Sequence, residues 1–415
     1  MTKNNIAVKA VATVTVFSVF TRGLAFIFKI YLAQALGAEA MGLYQICLSL
    51  FYLFASLSAS GLPLVLSRKT AENAALGKKE DPSLFSSTLV MGVSVALATI
   101  LVLFLAKPIL PKLAGNPKTL PLLLVMLPAV FSTTIYSVIR GWFWGRKQFT
   151  YFSITETAEE LLRILFSVLF VSGIIAGVSG AYGIALAFTV SDFSVAVILL
   201  IMFFVKGGRI SKPAKIKEIF LPALPISAMR VFGSLIATLL AVMLPARLAA
   251  AGMSVSEATA SFGRIAGMAN PLILAPNAII SSLAIVLIPE MSASGAKKEY
   301  ITLNRHINSG INFSLLISGV FIAAYLPLGK YITQFLFKDT ISGEYLMYAT
   351  FLMIPMCISQ MTQSALNSIG MEFKAFKNYL IGTVFMLLAI YFLPKYIGIY
   401  ASAVASFLSM TINSV

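Results

Sequence analysis

The chain of 415 residues is 59% hydrophobic and only 11% charged, with a mean hydropathy of +0.92. Soluble domains carry about 25% charged residues, so an all-α polytopic membrane protein is expected. Lys and Arg outnumber Asp and Glu 31 to 15, but they sit in short connectors between apolar runs, which suits anionic lipid headgroups and argues against a nucleic-acid partner.

Runs long enough to cross hydrocarbon fall at about 9–35, 41–66, 84–106, 119–143, 158–178, 181–205, 218–246, 266–289, 307–328, 343–368, 376–394 and 396–415, which makes about twelve spans. The first is too long for a signal-peptide core and has no small-residue cleavage site before a polar domain. Within it lie Arg22 and Lys29, seven residues apart. Seven residues are two turns of helix, so both side chains project from one face. A cation at the bilayer centre costs about 2.5–3.5 kcal/mol on insertion scales. The pair is therefore expected to face a bundle interior or a water-filled cavity. For Lys29, nearer the far end, the alternative is snorkelling to the headgroups.

The fifth run opens with Glu156, Glu159, Glu160 and Arg163. Their spacing of i, i+3, i+4 and i+7 places all four on one helical face. Two readings stand: acids favoured by the helix dipole in a first turn, or a substrate gate. Asp192 lies near the centre of the sixth run, after Thr189-Val190-Ser191. It is read as a coupling-proton site, as the partner of an arginine, or as a carboxylate solvated by Ser and Thr hydroxyls.

The basic stretch 206–217 is the longest polar interruption near the middle. It divides the chain into halves 1–205 and 218–415. Arg230 lies within the seventh run, about 208 residues after Arg22 in the first. Spans 4 and 10 each end near a Gly-containing segment, Gly141–Arg146 and Leu366–Met371, expected to turn on the cytoplasmic side. Repeats of six spans place a substrate site between halves, and an even number of spans relates them by an axis along the membrane normal. With the N-terminus inside, about 19 connector Lys and Arg are cytoplasmic and 8 external, so a plasma-membrane protein with a cytoplasmic N-terminus is expected. Lys107, Lys112 and Lys118 go against the rule locally. The last run reaches Val415 with no polar tail: either the twelfth span ends the protein or the sequence continues.

No phosphate-binding loop of the G-x-x-x-x-G-K-[S/T] type occurs. The one histidine, His306, falls at a span boundary, and Cys47 and Cys357 lie in apolar runs. Neither a metal cluster nor a Ser/His/Asp set is available, and no cofactor is expected. Energy is expected from a Na+ or H+ gradient, a substrate gradient or the membrane potential.

Several stretches resemble one family. Leu36-Gly37-Ala38-Glu39-Ala40-Met41-Gly42-Leu43-Tyr44-Gln45, then Gly61-Leu62-Pro63 and Ser67-Arg68, are similar to the opening of the stage V sporulation protein B type of polysaccharide flippase. Arg140-Gly141-Trp142-Phe143, the Glu159–Arg163 stretch, and Pro276–Leu283 running into Leu287–Ser292 fit the same pattern. The resemblance spans essentially the whole chain and points to the multidrug/oligosaccharidyl-lipid/polysaccharide flippase superfamily, which includes the lipid II flippases. It implies two six-helix lobes in a V-shaped, pseudo-two-fold arrangement around a cationic cavity that alternates its opening. It also implies a lipid-linked saccharide as substrate and, for the sporulation branch, a role in cortex peptidoglycan. Arg22 matches an arginine that the lipid II flippases place in their cavity. Asn270, six residues before Pro276, stands where they carry another. Family members commonly have fourteen spans, two more than are read here.

The expected function is translocation of a polyprenyl-diphosphate-linked saccharide by a monomer, with Arg22, Lys29 and Arg230 binding the diphosphate. Arginine suits bidentate phosphate contact. A cation-coupled multidrug exporter would place carboxylates in charge of the cavity. A membrane glycosyltransferase would carry its acids in a large external loop, and none is read. A non-transporting scaffold for cortex synthesis is the remaining alternative.

Overall fold

The computed structural model describes residues 3–111, 115–171 and 180–414, and every regular element among them is helical. Lys112, the end of the fifth expected span at 172–178 and Val415 lie outside the described residues, as do the side chains of Lys3 and Lys9.

The first helix, α1 (Lys3–Ala59), holds 57 residues. Straight, it would be about 86 Å long at 1.5 Å per residue, against a hydrocarbon core of about 30 Å. It breaks at Gly37, where φ is 76° and ψ 179°, a conformation only glycine takes without strain. One continuous element therefore contains the first expected span and the start of the second. After a bend at Ser60 the chain continues as α2 (Gly61–Ala75).

The next helix, α3 (Pro82–Leu105), starts on the N-cap Asp81, whose carboxylate accepts from the Ser83 backbone N–H at 2.9 Å. That interaction with Ser83, aided by Lys215 at 3.6 Å, holds the Asp81 carboxyl below the usual carboxylate range. Helices α4 (Thr119–Met126) and α5 (Ala129–Gly145) form a pair bent by 41°. Pro128 stands at the bend, where it withholds a backbone donor and crowds the preceding turn. The segment Gly141–Arg146, expected to turn, is instead helical to Gly145, and the turn follows with Lys147 at φ 58°. The reason is packing. Gly141 lies against the backbone of Pro63, whose Cα would stand 2.9 Å from a Cβ built there. Small residues permit such close approach of membrane helices.

The chain continues with α6 (Phe149–Val171), α7 (Gly180–Val205) and α8 (Ile216–Ala250). After α9 (Val255–Gly263), the eighth expected span is built in pieces: a π-helical turn at Arg264–Ala269, α10 (Asn270–Ile273) and α11 (Ala275–Ala296). Then come α12 (Tyr300–Phe337), α13 (Ile341–Ala349), α14 (Met353–Ser368), α15 (Glu372–Phe392), α16 (Pro394–Ile397) and α17 (Ala401–Asn413). Eight helical stretches among the described residues are long and apolar enough to cross a membrane, nine with the bent α4–α5 pair. The first, Val16–Ala75, contains the Gly37 break, and the eighth expected span is interrupted by its π turn. The set is consistent with twelve crossings.

Two compact units divide the chain: residues 1–31 with 43–239, and residues 32–42 with 240–415. In the first, Phe85 stacks on Phe203 at 4.2 Å and Trp142 meets Phe203 edge-on at 4.8 Å. These rings, with Leu66 and Phe143, are buried and join α2, α3, α5 and α7. The basic connector belongs to this unit. It crosses the start of α3, where the backbone N–H groups of Ser211 and Lys215 donate to the Ser86 and Ser87 hydroxyls at 2.8 and 3.0 Å. In the second unit Arg264 Nε donates to Asp339 at 2.9 Å, and Met41 is fully buried.

Candidate functional site

Seven of the eight residues singled out by sequence come together in the first unit. Helices α1 and α6 touch where the Thr21 and Thr157 hydroxyls lie 2.8 Å apart. Arg22 follows Thr21 and Glu156 precedes Thr157, so both charges are sequence neighbours of this contact. They interact electrostatically, as do Lys29 and Glu160. Helical side chains lean toward the N-terminus, so Lys29, two turns above Arg22, reaches back toward the carboxylates.

The four charges on α6 do not sit in its first turn. The helix starts at Phe149, seven residues before Glu156, whereas the dipole acts within about one turn of the end. The dipole account therefore does not apply. Arg163 is bonded instead to both Glu159 and Glu160, the latter at 2.9 Å, and its side chain is only 13% exposed. The guanidinium also lies over the Phe188 ring, 5.0 Å from the centroid. Charges inside hydrocarbon persist only with such partners.

Asp192 on α7 is buried, and its hydrogen-bond partners are hydroxyls. Ser132 donates to it, and so does Thr133 at 3.0 Å. Glu159 and Arg163 are within electrostatic reach.

Arg140, singled out from sequence only within the Arg140–Phe143 resemblance, completes the cluster. It occupies an aromatic enclosure, with its guanidinium 4.7 Å from the Trp144 ring centroid, 5.2 Å from Phe152 and 5.9 Å from Tyr136. Such cation–π contacts stabilise a partly desolvated charge. Glu156 is within electrostatic reach of both Arg140 and Arg22. The cluster thus sets four cations, Arg22, Lys29, Arg140 and Arg163, against four acids, Glu156, Glu159, Glu160 and Asp192.

Arg230 stands apart. It lines an open hollow of about 510 Å³ with Tyr52, Ser56, Ser60 and Ser234 among its walls. Arg22 and Arg230 are both exposed, and Lys29 is half-buried. Among the described residues no group of three or more His, Cys, Asp or Glu is arranged to hold a metal.

The sequence profile of the polysaccharide biosynthesis protein family matches residues 7–294. Stage V sporulation protein B of Bacillus subtilis (strain 168) is 24% identical over 382 residues, covering 88% of this chain and 73% of the relative. Two solved structures share the fold. The lipid II flippase MurJ in an inward closed conformation gives a TM-score of 0.76 at 14% identity, covering 97% of this chain and 85% of that one. An inward-facing multidrug resistance MATE family transporter of the MOP superfamily gives 0.74 at 14% identity, covering 94% and 91%. The chain is accordingly a multi-pass membrane protein with the fold that these transporters share.

Proposed function

Because the chain belongs to the polysaccharide biosynthesis protein family, we propose that it moves a polyprenyl-diphosphate-linked saccharide across the plasma membrane by alternating access. The observation that carries this reading is the pair Arg22 and Lys29. Two cations share one face of a membrane helix, Arg22 exposed and Lys29 half-buried, and neither is bonded to a carboxylate as Arg163 is. A diphosphate is the lipid headgroup element that such a pair suits, since charge-assisted bonds to phosphate gain strength away from bulk water. Arg230, beside hydroxyls in its open hollow, is a second contact for the diphosphate or the first sugar. The halves 1–205 and 218–415 act as the two lobes around the connector 206–217, and the protein works as a monomer with its N-terminus in the cytoplasm. Spore-cortex or other peptidoglycan precursors are the saccharides this reading favours.

Coupling falls to Asp192 or to the membrane potential acting on the cluster. Equal numbers of acids and bases also favour a second reading, a cation-coupled exporter, in which Glu156, Glu159, Glu160 and Asp192 receive the cation. Complementation separates the two. Arg22→Ala is expected to abolish rescue of a strain defective in lipid-linked-saccharide transport, at normal membrane levels of the protein. Full rescue with Ala at both 22 and 29 would overturn the diphosphate reading.

A further inference from the structure

Of the three arginines between the start of α5 and the end of α6, two have occupied guanidinium groups. Arg163 is bonded to Glu159 and Glu160, and Arg146 donates to the Lys206 carbonyl at 3.1 Å and lies 3.8 Å from Glu80. Arg140 is different. Its guanidinium is surrounded by the Trp144, Phe152 and Tyr136 rings, and its Nε is buried with no hydrogen-bond partner among the described residues. A guanidinium carries five N–H donors in a fixed fork. Aromatic faces attract its charge, but they neither neutralise it nor offer an oxygen to the fork. The enclosure therefore fixes a cation without satisfying it, and the side chain is only half-buried.

Depth matters as well. Helix α5 ends at Gly145 and α6 starts at Phe149, so Arg140 stands five residues, about 7.5 Å, inside the end where α5 gives way to α6. Connector charge favours that end as the cytoplasmic one. Phe152 ties Arg140 to one level of α6. Thr157, bonded to Thr21, ties the neighbouring Arg22 to a level five residues further on, about 7.5 Å deeper. Lys29 follows seven residues beyond Arg22 on α1, about another 10 Å.

We propose that Arg140 is a phosphate-binding residue, which takes the diphosphate of the lipid-linked substrate at the cytoplasmic end of the site and passes it to Arg22. This rests on the diphosphate reading above and adds the contact at which the substrate is first held. The diphosphate of a membrane-anchored lipid starts at headgroup level, near the helix ends where Trp and Tyr belong. Moving inward, it must exchange water for charge-assisted bonds, and arginine supplies two at once to a phosphate. Rings that already hold the guanidinium in place reduce the entropy lost when the phosphate arrives. Glu156 is within electrostatic reach of Arg140, but no carboxylate is bonded to it among the described residues. An incoming phosphate therefore displaces no ion pair there, as it would at Arg163.

The test is equilibrium binding of undecaprenyl diphosphate and of uncharged undecaprenol to the full chain in phosphatidylcholine nanodiscs. The wild type is expected to prefer the diphosphate. Arg140→Gln is expected to cut that preference about tenfold, the size of one lost charge-assisted contact. Arg140→Lys keeps the charge but loses the fork, and a loss of about threefold is expected. Arg68→Gln removes an exposed arginine that pairs with Glu72 at 3.4 Å and is expected to bind as the wild type does. Trp144→Leu takes away one wall of the enclosure and leaves Arg140 in place, so it reports the same site if Arg140→Gln fails to fold; a loss of about two- to fivefold is expected. A repeat with phosphatidylglycerol in the nanodiscs tests ordinary headgroups. The gap between wild type and Arg140→Gln is expected to persist, and its disappearance would assign Arg140 to bulk anionic lipid and overturn the proposal. If the wild type binds both probes alike, the diphosphate reading itself fails. If the wild type prefers the diphosphate and folded Arg140→Gln keeps that preference in full, only the role of Arg140 fails, and the residue is a structural cation.

Discussion

Asp192 shows how much of a membrane charge's role depends on its immediate partners. Its two hydrogen bonds come from Ser132 and Thr133, so of the three readings open from sequence the hydroxyl-solvated carboxylate matches the bonding geometry. Arg163 is near but is held by Glu159 and Glu160. Asp192→Asn therefore strands no buried arginine. Both hydroxyls donate to one carboxylate oxygen, Oδ2, so an amide with its C=O in that place still accepts from both, more weakly than the charged group does. The expected stability loss is about 1 kcal/mol, the scale of one weakened hydrogen bond. Under the coupling role, transport by this variant should proceed without the wild type's pH dependence. A variant that keeps the wild-type pH profile would assign the proton to another group, and one that fails to assemble would make Asp192 structural.

At the scale of elements, Gly141 is the contact most exposed to a single methyl group. A Cβ there meets the backbone of Pro63, not a flexible side chain, so α5 must move away from α2. Gly141→Ala is expected to cost about 1–3 kcal/mol, as overpacking does, read as a lower thermal midpoint of the purified protein in detergent. Gly319→Ala, with nothing within 4 Å, is the matched control and is expected to be neutral or slightly stabilising. Equal midpoints for the two variants would mean that α2 and α5 are not tightly apposed. The apolar runs were legible because hydrocarbon thickness fixes their length, and where described each is mainly helical, with breaks as at Ser60, Leu127–Pro128 and Leu274. The straightness of the Gly141 segment was not legible, since a glycine that permits close packing looks the same in sequence as one that turns the chain. The charged faces of α1 and α6 were each legible from helical periodicity. Their pairing was not, because it depends on which helices become neighbours. Arg140 carried a missed signal: Tyr136, Arg140 and Trp144 recur at i, i+4 and i+8, one stripe of α5 with a cation between two rings.

For the molecule as a whole, sidedness is the property that transport requires, and polar contacts within each unit constrain it. A short-range contact can join two connectors only if they lie on the same side of the membrane. Glu80 pairs with Arg146 at 3.8 Å and Asp81 with Lys215 at 3.6 Å, and twelve alternating spans place all four on one side. Arg264 with Asp339, Lys330 with Glu344, and Arg247 with the Tyr391 carbonyl join connectors or span ends that the same count places together on the other side. His306 with Glu290 returns to the first side. A miscount by one span between any of these partners would break the pattern, so the parity agrees with the alternation read from sequence. Which side faces the cytoplasm then rests on charge, and the connector count of about 19 against 8 favours the side of Lys78 and Lys212. Single cysteines at Lys78 and Lys212 are expected to react with an impermeant maleimide only after the membrane is opened, and those at Lys112 and Lys338 in intact cells. Cys47 and Cys357 are buried and should contribute little background. Labelling of the Lys212 position in intact cells would overturn both the orientation and the placing of the connector, because Lys212 lies between the backbone contacts that fasten that segment to Ser86 and Ser87.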